Sequence, residues 1–154
     1  MSVALPPIEA VVPHRGAMLW LERLVSGDER GVEAEARVGA GAWYLDEAGA
    51  MPAWLGIELM AQALAAHVGL RAWASGQPAR PGVLLGCRAY RSRAARFARG
   101  ETLRVTALRS FSDESGFAAY DCAIAGTGGE IAAATLKAYE PPDFAAFLAS
   151  VETQ

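Results

Sequence analysis

Glu58 and Gln62 stand one helical turn apart in the most apolar stretch of the chain, MPAWLGIELMAQALAAHVGLRAWASG from Met51 to Gly76. A carboxyl group among apolar neighbours loses hydration, so it either finds a partner or is kept for work as an acid or base. Trp54, Ala65 and Gly69 fall on the same helical stripe as Glu58. An ion pair with a buried arginine, or a bond to a backbone group, would leave the same pattern in the sequence.

Proton transfer needs a second group, and the chain has two histidines, His14 and His67. His67 lies nine positions after Glu58, which at about 100° per residue is the opposite face, with Arg71 one turn on. It reads as a packed or interface histidine. His14 precedes the first strand in a loop that Pro13 and Gly16 constrain, and it is the better candidate. A histidine that merely holds the loop by hydrogen bonds would look the same. Tyr44 could give or take a proton, but an ordinary phenol titrates near pH ~10 and suits substrate positioning better.

The elements that must carry these groups follow from periodicity. Pro52 suits a first helical position and Gly76, with Pro78 beyond it, a helix end, so Met51 to Gly76 is predicted as one long helix, apolar nearly all round and therefore buried. It is long enough to span a membrane, but Glu58, Gln62, His67 and Arg71 interrupt it, and no membrane span is expected. Ala17 to Val25 reads as a first strand. Gly31 to Val38 alternates Val32, Ala34, Ala36 and Val38 with Glu33, Glu35 and Arg37, as a half-buried antiparallel strand does. After the helix come four strand-like runs, Val83 to Phe97, Glu101 to Phe111, Gly116 to Ala125 and Glu130 to Tyr139, joined by short turns. Asp143 is placed to cap a tail helix from Phe144 to Val151.

This order predicts an α+β domain over residues 1–154, with a curved antiparallel sheet of about six strands wrapped around one buried helix. One sheet covers only one side of such a helix, so a second chain is expected against the rest. With 154 residues, 53% apolar and a net charge of −3, the composition is that of a soluble globular protein and gives no case for nucleic acid. Cys87 and Cys122 match no metal-ligand spacing, and no metal is expected. The segment MSVALPPIEAVVPHRG lacks a basic leader pattern and points to the cytoplasm. Between Glu58 and Glu101 there is no acidic residue, while Arg71, Arg80, Arg88, Arg91, Arg93, Arg96 and Arg99 all occur. Either that basic stretch meets an acidic partner or its arginines pair with Glu33, Glu35 or Glu101.

Two motifs carry a resemblance. Met51-Pro52-Ala53-Trp54-Leu55-Gly56-Ile57-Glu58-Leu59-Met60-Ala61-Gln62 resembles the M-P-G-x-L-x-x-E-A-M-A-Q helix start of the hot-dog-fold 3-hydroxyacyl-carrier-protein dehydratases, and Val12-Pro13-His14-Arg15-Gly16-Ala17-Met18-Leu19-Trp20-Leu21-Glu22-Arg23 is similar to that family's L-P-H-R-x-P-F-L-L-V-D-R opening. The family keeps a histidine in a G-H-F-P-G segment fourteen residues before the helix carboxylate, where this chain has Tyr44 within Ala42-Trp43-Tyr44-Leu45-Asp46. In that respect it resembles a divergent branch, associated with aryl-polyene pathways, whose members lack the histidine.

The resemblance implies a hot-dog fold, a dimer and a fatty or polyene acyl thioester carried on the phosphopantetheine of a carrier protein or CoA, with no cofactor of its own. It implies Glu58 as the acid side of the elimination, leaving His14 as the candidate base, with Ala53, Trp54, Gln62 and Tyr44 against the substrate. The backbone N–H at Ala53, where the family has glycine, would polarise the thioester carbonyl. The Arg80 to Arg99 stretch would receive an acyl carrier protein. Three functions stay open: a 3-hydroxyacyl thioester dehydratase; a non-catalytic carrier-binding subunit paired in a heterodimer with a second dehydratase rather than a homodimer; and a hot-dog thioesterase in which Glu58 activates water.

Overall fold

The architecture follows from the way one helix carries the chain from one side of a sheet to the other. The computed structural model describes residues 4–153. Strands β1 (Leu21–Gly27) and β2 (Gly31–Arg37) form a hairpin, and helix α1 (Gly56–Ala74) then crosses to β4 (Val83–Ser92) at the opposite edge. Strands β6 (Thr102–Ser112), β7 (Phe117–Gly126) and β8 (Gly129–Tyr139) fill the space between, giving the order β1-β2-β6-β7-β8-β4 with every pair antiparallel. This is the fold class expected, a six-stranded antiparallel sheet and one long helix.

Alternation along the strands makes the core. Leu103, Val105 and Ala107 on β6, Tyr120, Cys122 and Ile124 on β7, and Ala132, Ala134 and Leu136 on β8 all point inward and are buried. They meet Leu59, Met60, Ala63, Ala66 and His67 of α1. The alanines matter: with Ala34, Ala36 and Ala107 fully covered, the helix sits close to the sheet and touches all six strands. Although residues Ala53–Ala74 are long and apolar enough to cross a membrane, they form this internal helix.

Three elements differ from expectation. Gly16, at φ 60°, opens a 3-10 turn over Gly16–Met18, so the first strand starts at Leu21 rather than at Ala17. The long helix begins in three pieces: Met51–Pro52 (β3) pairs with Arg96–Phe97 (β5), Ala53–Leu55 is a 3-10 turn, and α1 proper starts at Gly56. Pro52 therefore precedes a 3-10 turn instead of opening the α-helix. The run from Val83 to Phe97 is broken after Ser92, because the Ser92 hydroxyl donates to the Ala94 carbonyl and turns the chain toward β3. The tail helix α2 (Phe144–Glu152) forms as expected, its first turn capped by Asp143, which accepts from the Ala146 N–H at 3.0 Å.

Candidate functional site

Helix α1 presents one uncovered stripe, Glu58, Ala61, Ala65, Val68 and Arg71, at spacings of three and four residues. With Val83 and Leu84 of β4, Ala118 and Tyr120 of β7 and the segment Glu9–Arg15 it lines a cavity of about 860 Å³. By helix rise the stripe is ~20 Å long. The small side chains of Ala61, Ala65 and Val68 leave open space along it.

His14 and Glu58 meet in this cavity. His14 Nε2 lies 3.7 Å from Glu58 Oε1, and the two side chains are 26% and 35% exposed. Glu58 is thus neither buried nor neutralised by an arginine, and the described residues leave its face of the helix open. The histidine is placed by its neighbour: Arg15 donates to the carbonyls of Val12, His14 and Glu9 at 2.7, 2.6 and 2.7 Å, tying the loop into a ring. A close packing contact holds the same segment, since Gly69 of α1 abuts the Val11 carbonyl so tightly that a Cβ there would lie 1.9 Å from the oxygen.

Gln62 lies behind Glu58, wholly buried. Its Oε1 accepts from the Trp20 N–H at 3.0 Å, and its Nε2 donates to the Met18 carbonyl at 2.7 Å and to Glu58 Oε1 at 3.0 Å. It faces protein on every side, so it orients the carboxylate instead of touching a substrate.

The other expected residues do not reach the cavity. Tyr44 packs on Trp20, ring centroids 4.7 Å apart, and burial pushes its phenol above the ordinary pKa against a smaller opposing effect from the Gly39 backbone. Trp54 is 68% exposed at the approach to the helix. The Ala53 N–H, expected to polarise a thioester, donates to the Ala95 carbonyl at 3.0 Å, and the Ala53 carbonyl accepts from the Tyr90 hydroxyl. Tyr90 gets there through a bulge in β4 at Ala89, which adopts φ 53°. His67 is structural: its Nδ1 meets the Tyr120 hydroxyl at 2.8 Å and its Nε2 the Asp28 carbonyl at 3.0 Å. Among the described residues no three His, Cys, Asp or Glu side chains cluster as a metal would require.

The arginines of the basic stretch are all exposed. Arg96 pairs with Asp46 at 2.6 Å and Arg93 donates to the Glu130 carbonyl. Glu33 and Glu35 are taken by Arg104 and Arg23 instead, so they do not neutralise it.

Comparison with known proteins agrees with this fold. The family described as ApeP-like, ApeP dehydratase, matches residues 6–149. The fold is similar to a chain of the dehydratase heterocomplex ApeI:P from Xenorhabdus doucetiae, with a TM-score of 0.85, 26% identity, and coverage of 92% of this chain and 95% of that one. A hypothetical thioesterase with coenzyme A from Streptococcus pneumoniae TIGR4 shares the fold at TM-score 0.61 and 14% identity, covering 76% and 83% of the two chains. So does the E. coli PaaI protein from the phenylacetic acid degradation operon, at 0.57 and 18%, covering 75% and 80%. No curated protein matches the sequence.

Proposed function

Because the chain belongs to the ApeP-like dehydratase family, we propose that it eliminates water from a 3-hydroxyacyl thioester to give the trans-2-enoyl thioester, the acyl group riding on the phosphopantetheine arm of a carrier protein or of CoA. The reaction removes a proton from C2 while the C3 hydroxyl departs as water. It needs a proton acceptor and a hydrogen-bond donor within one substrate width. The observation that carries the proposal is the facing of His14 and Glu58 across 3.7 Å on the wall of the cavity. At that distance the two groups are close enough to share a substrate and are not hydrogen-bonded to each other.

A second subunit completes the proposal. The edge strand β4 exposes Leu84 and Leu85, and Trp43 and Trp54 stand 63% and 68% exposed on the segment that leads into α1. Apolar surface of this kind favours a covering chain. The likeness to a chain from a dehydratase heterocomplex supports a different hot-dog subunit as that cover, and a second copy is the alternative. The free arginines of the Arg80 to Arg99 stretch suit an acidic carrier protein, and the setting proposed is the cytoplasm.

The test is direct. The pure protein is incubated with a 3-hydroxyacyl-pantetheine thioester, and the absorbance of the conjugated enoyl product and the release of free thiol are followed together. Enoyl product supports the dehydratase; free thiol without it would make this a thioesterase. Silence in both, ended by adding a second hot-dog dehydratase subunit, assigns the chain to the two-subunit form.

A further inference from the structure

The hydrogen-bond directions around Gln62 admit one solution. The Trp20 N–H can only donate and meets Oε1; the Met18 carbonyl can only accept and meets Nε2. Flipping the amide would set donor against donor and acceptor against acceptor. The remaining amide hydrogen is therefore aimed at Glu58 Oε1, and that oxygen is held as an acceptor.

His14 has the complementary restriction. Its Nε2 faces the same Glu58 oxygen, whereas its Nδ1 is enclosed and has no hydrogen-bonding partner among the described residues. A hydrogen on Nδ1 would be a buried donor aimed at nothing, which folded proteins tolerate less readily than an unused acceptor. A base working through Nε2 must carry its hydrogen on Nδ1 before it accepts a proton and keeps it there in the imidazolium, so it would hold that orphan throughout turnover. Placing the single hydrogen on Nε2 leaves Nδ1 a bare acceptor and points the donor at the carboxylate.

Resting on the dehydratase reading above, we infer that Glu58 is the base and His14 a neutral hydrogen-bond donor, the reverse of the roles the family resemblance implies. The Glu58 carboxylate takes the C2 proton, and the electron pair of that C–H bond becomes the C2–C3 double bond as the C3–O bond breaks. Glu58 then returns the same proton to the departing hydroxyl, which leaves as water. His14 donates through Nε2 to the oxygen on which charge develops and keeps its own proton. Gln62 is a positioning residue, acting only through Glu58.

Long-range 1H–15N NMR of the full-length protein labelled in its histidines reads the tautomer without substrate, and a His14→Gln spectrum assigns the two rings. His14 is expected as the Nε2–H tautomer at neutral pH; an Nδ1–H tautomer or an imidazolium overturns the inference. In the kinetic arm, His14→Gln keeps an amide donor and is expected to lose no more than about tenfold in kcat, while Glu58→Gln, which cannot accept the proton, loses ~10²- to 10⁴-fold. Equal, full losses in two variants whose melting temperatures match the parent would return the base to His14. If no form of the protein eliminates water, with or without a partner subunit, the dehydratase reading fails, and the NMR arm still decides the tautomer.

Discussion

The Trp20 N–H donates to the side-chain oxygen of Gln62 at 3.0 Å across 42 positions of sequence. That bond fastens the chain entering β1 to the first turns of α1, at the point where Gln62 also holds Glu58.

Replacing Gln62 by leucine keeps the volume and leaves the buried Trp20 N–H and the half-buried Met18 carbonyl without their side-chain partner. Each unmade bond costs about 1 to 3 kcal/mol, so a loss of several kcal/mol is expected in denaturant unfolding. In Gln62→Glu the shape is retained but both amide hydrogens are lost, so a carboxylate oxygen faces the Met18 carbonyl and Glu58; that variant is expected to lose kcat with little change in KM.

Gly69→Ala tests the packing that sets His14. A methyl group there meets the Val11 carbonyl at 1.9 Å, so the helix or the loop must move, and overpacking of this kind costs about 1 to 3 kcal/mol despite the better helix propensity of alanine. Gly39→Ala, where an added methyl meets nothing within 4 Å, is the control and is expected to unfold like the parent. A neutral Gly69→Ala would show that the loop is not seated on α1.

Burial lowers the pKa of His67 below its ordinary 6.5, with Arg109 and Arg71 adding to the shift and a backbone bond to Asp28 opposing it. Below about pH 6.5 the unfolded chain therefore binds a proton that the folded chain refuses, and stability falls as the pH falls through that window. His67→Gln, which can still bond Tyr120, is expected to flatten the slope between pH 6.5 and 5 in chemical unfolding curves. An unchanged slope would place the acid sensitivity elsewhere.

Charge reversal at Arg88 and Arg91, both exposed and unpaired among the described residues, separates carrier docking from chemistry. The double variant is expected to raise KM for a carrier-bound acyl group by roughly tenfold at low salt, the difference shrinking as salt is added. Turnover of a free pantetheine thioester should not change. Equal effects on both substrates would remove the docking role.

The helix and the meander were legible because apolar alternation, glycine-rich turns and the apolar run all point the same way. What was not legible depends on distant contacts. Nothing local in Arg93-Ala94-Ala95 marks the break that sends Arg96–Phe97 to pair with Met51–Pro52. Gln62 looked like a companion of Glu58 facing the substrate; its other two partners, Met18 and Trp20, lie more than 40 residues away and turn it inward. The apolar run predicts a buried Glu58, and its partial exposure reflects a face that the described residues leave open.

The two-residue ladder between β3 and β5 joins places that are far apart along the chain. Arg96 answers Pro52 across that ladder and grips Asp46 with its guanidinium, while Ala95 next to it holds the Ala53 N–H. The basic strand and the threshold of the long helix are consequently one mechanical piece: a visitor gripping the arginines has its hand on the residue next to the 3-10 turn that ends three positions before Glu58.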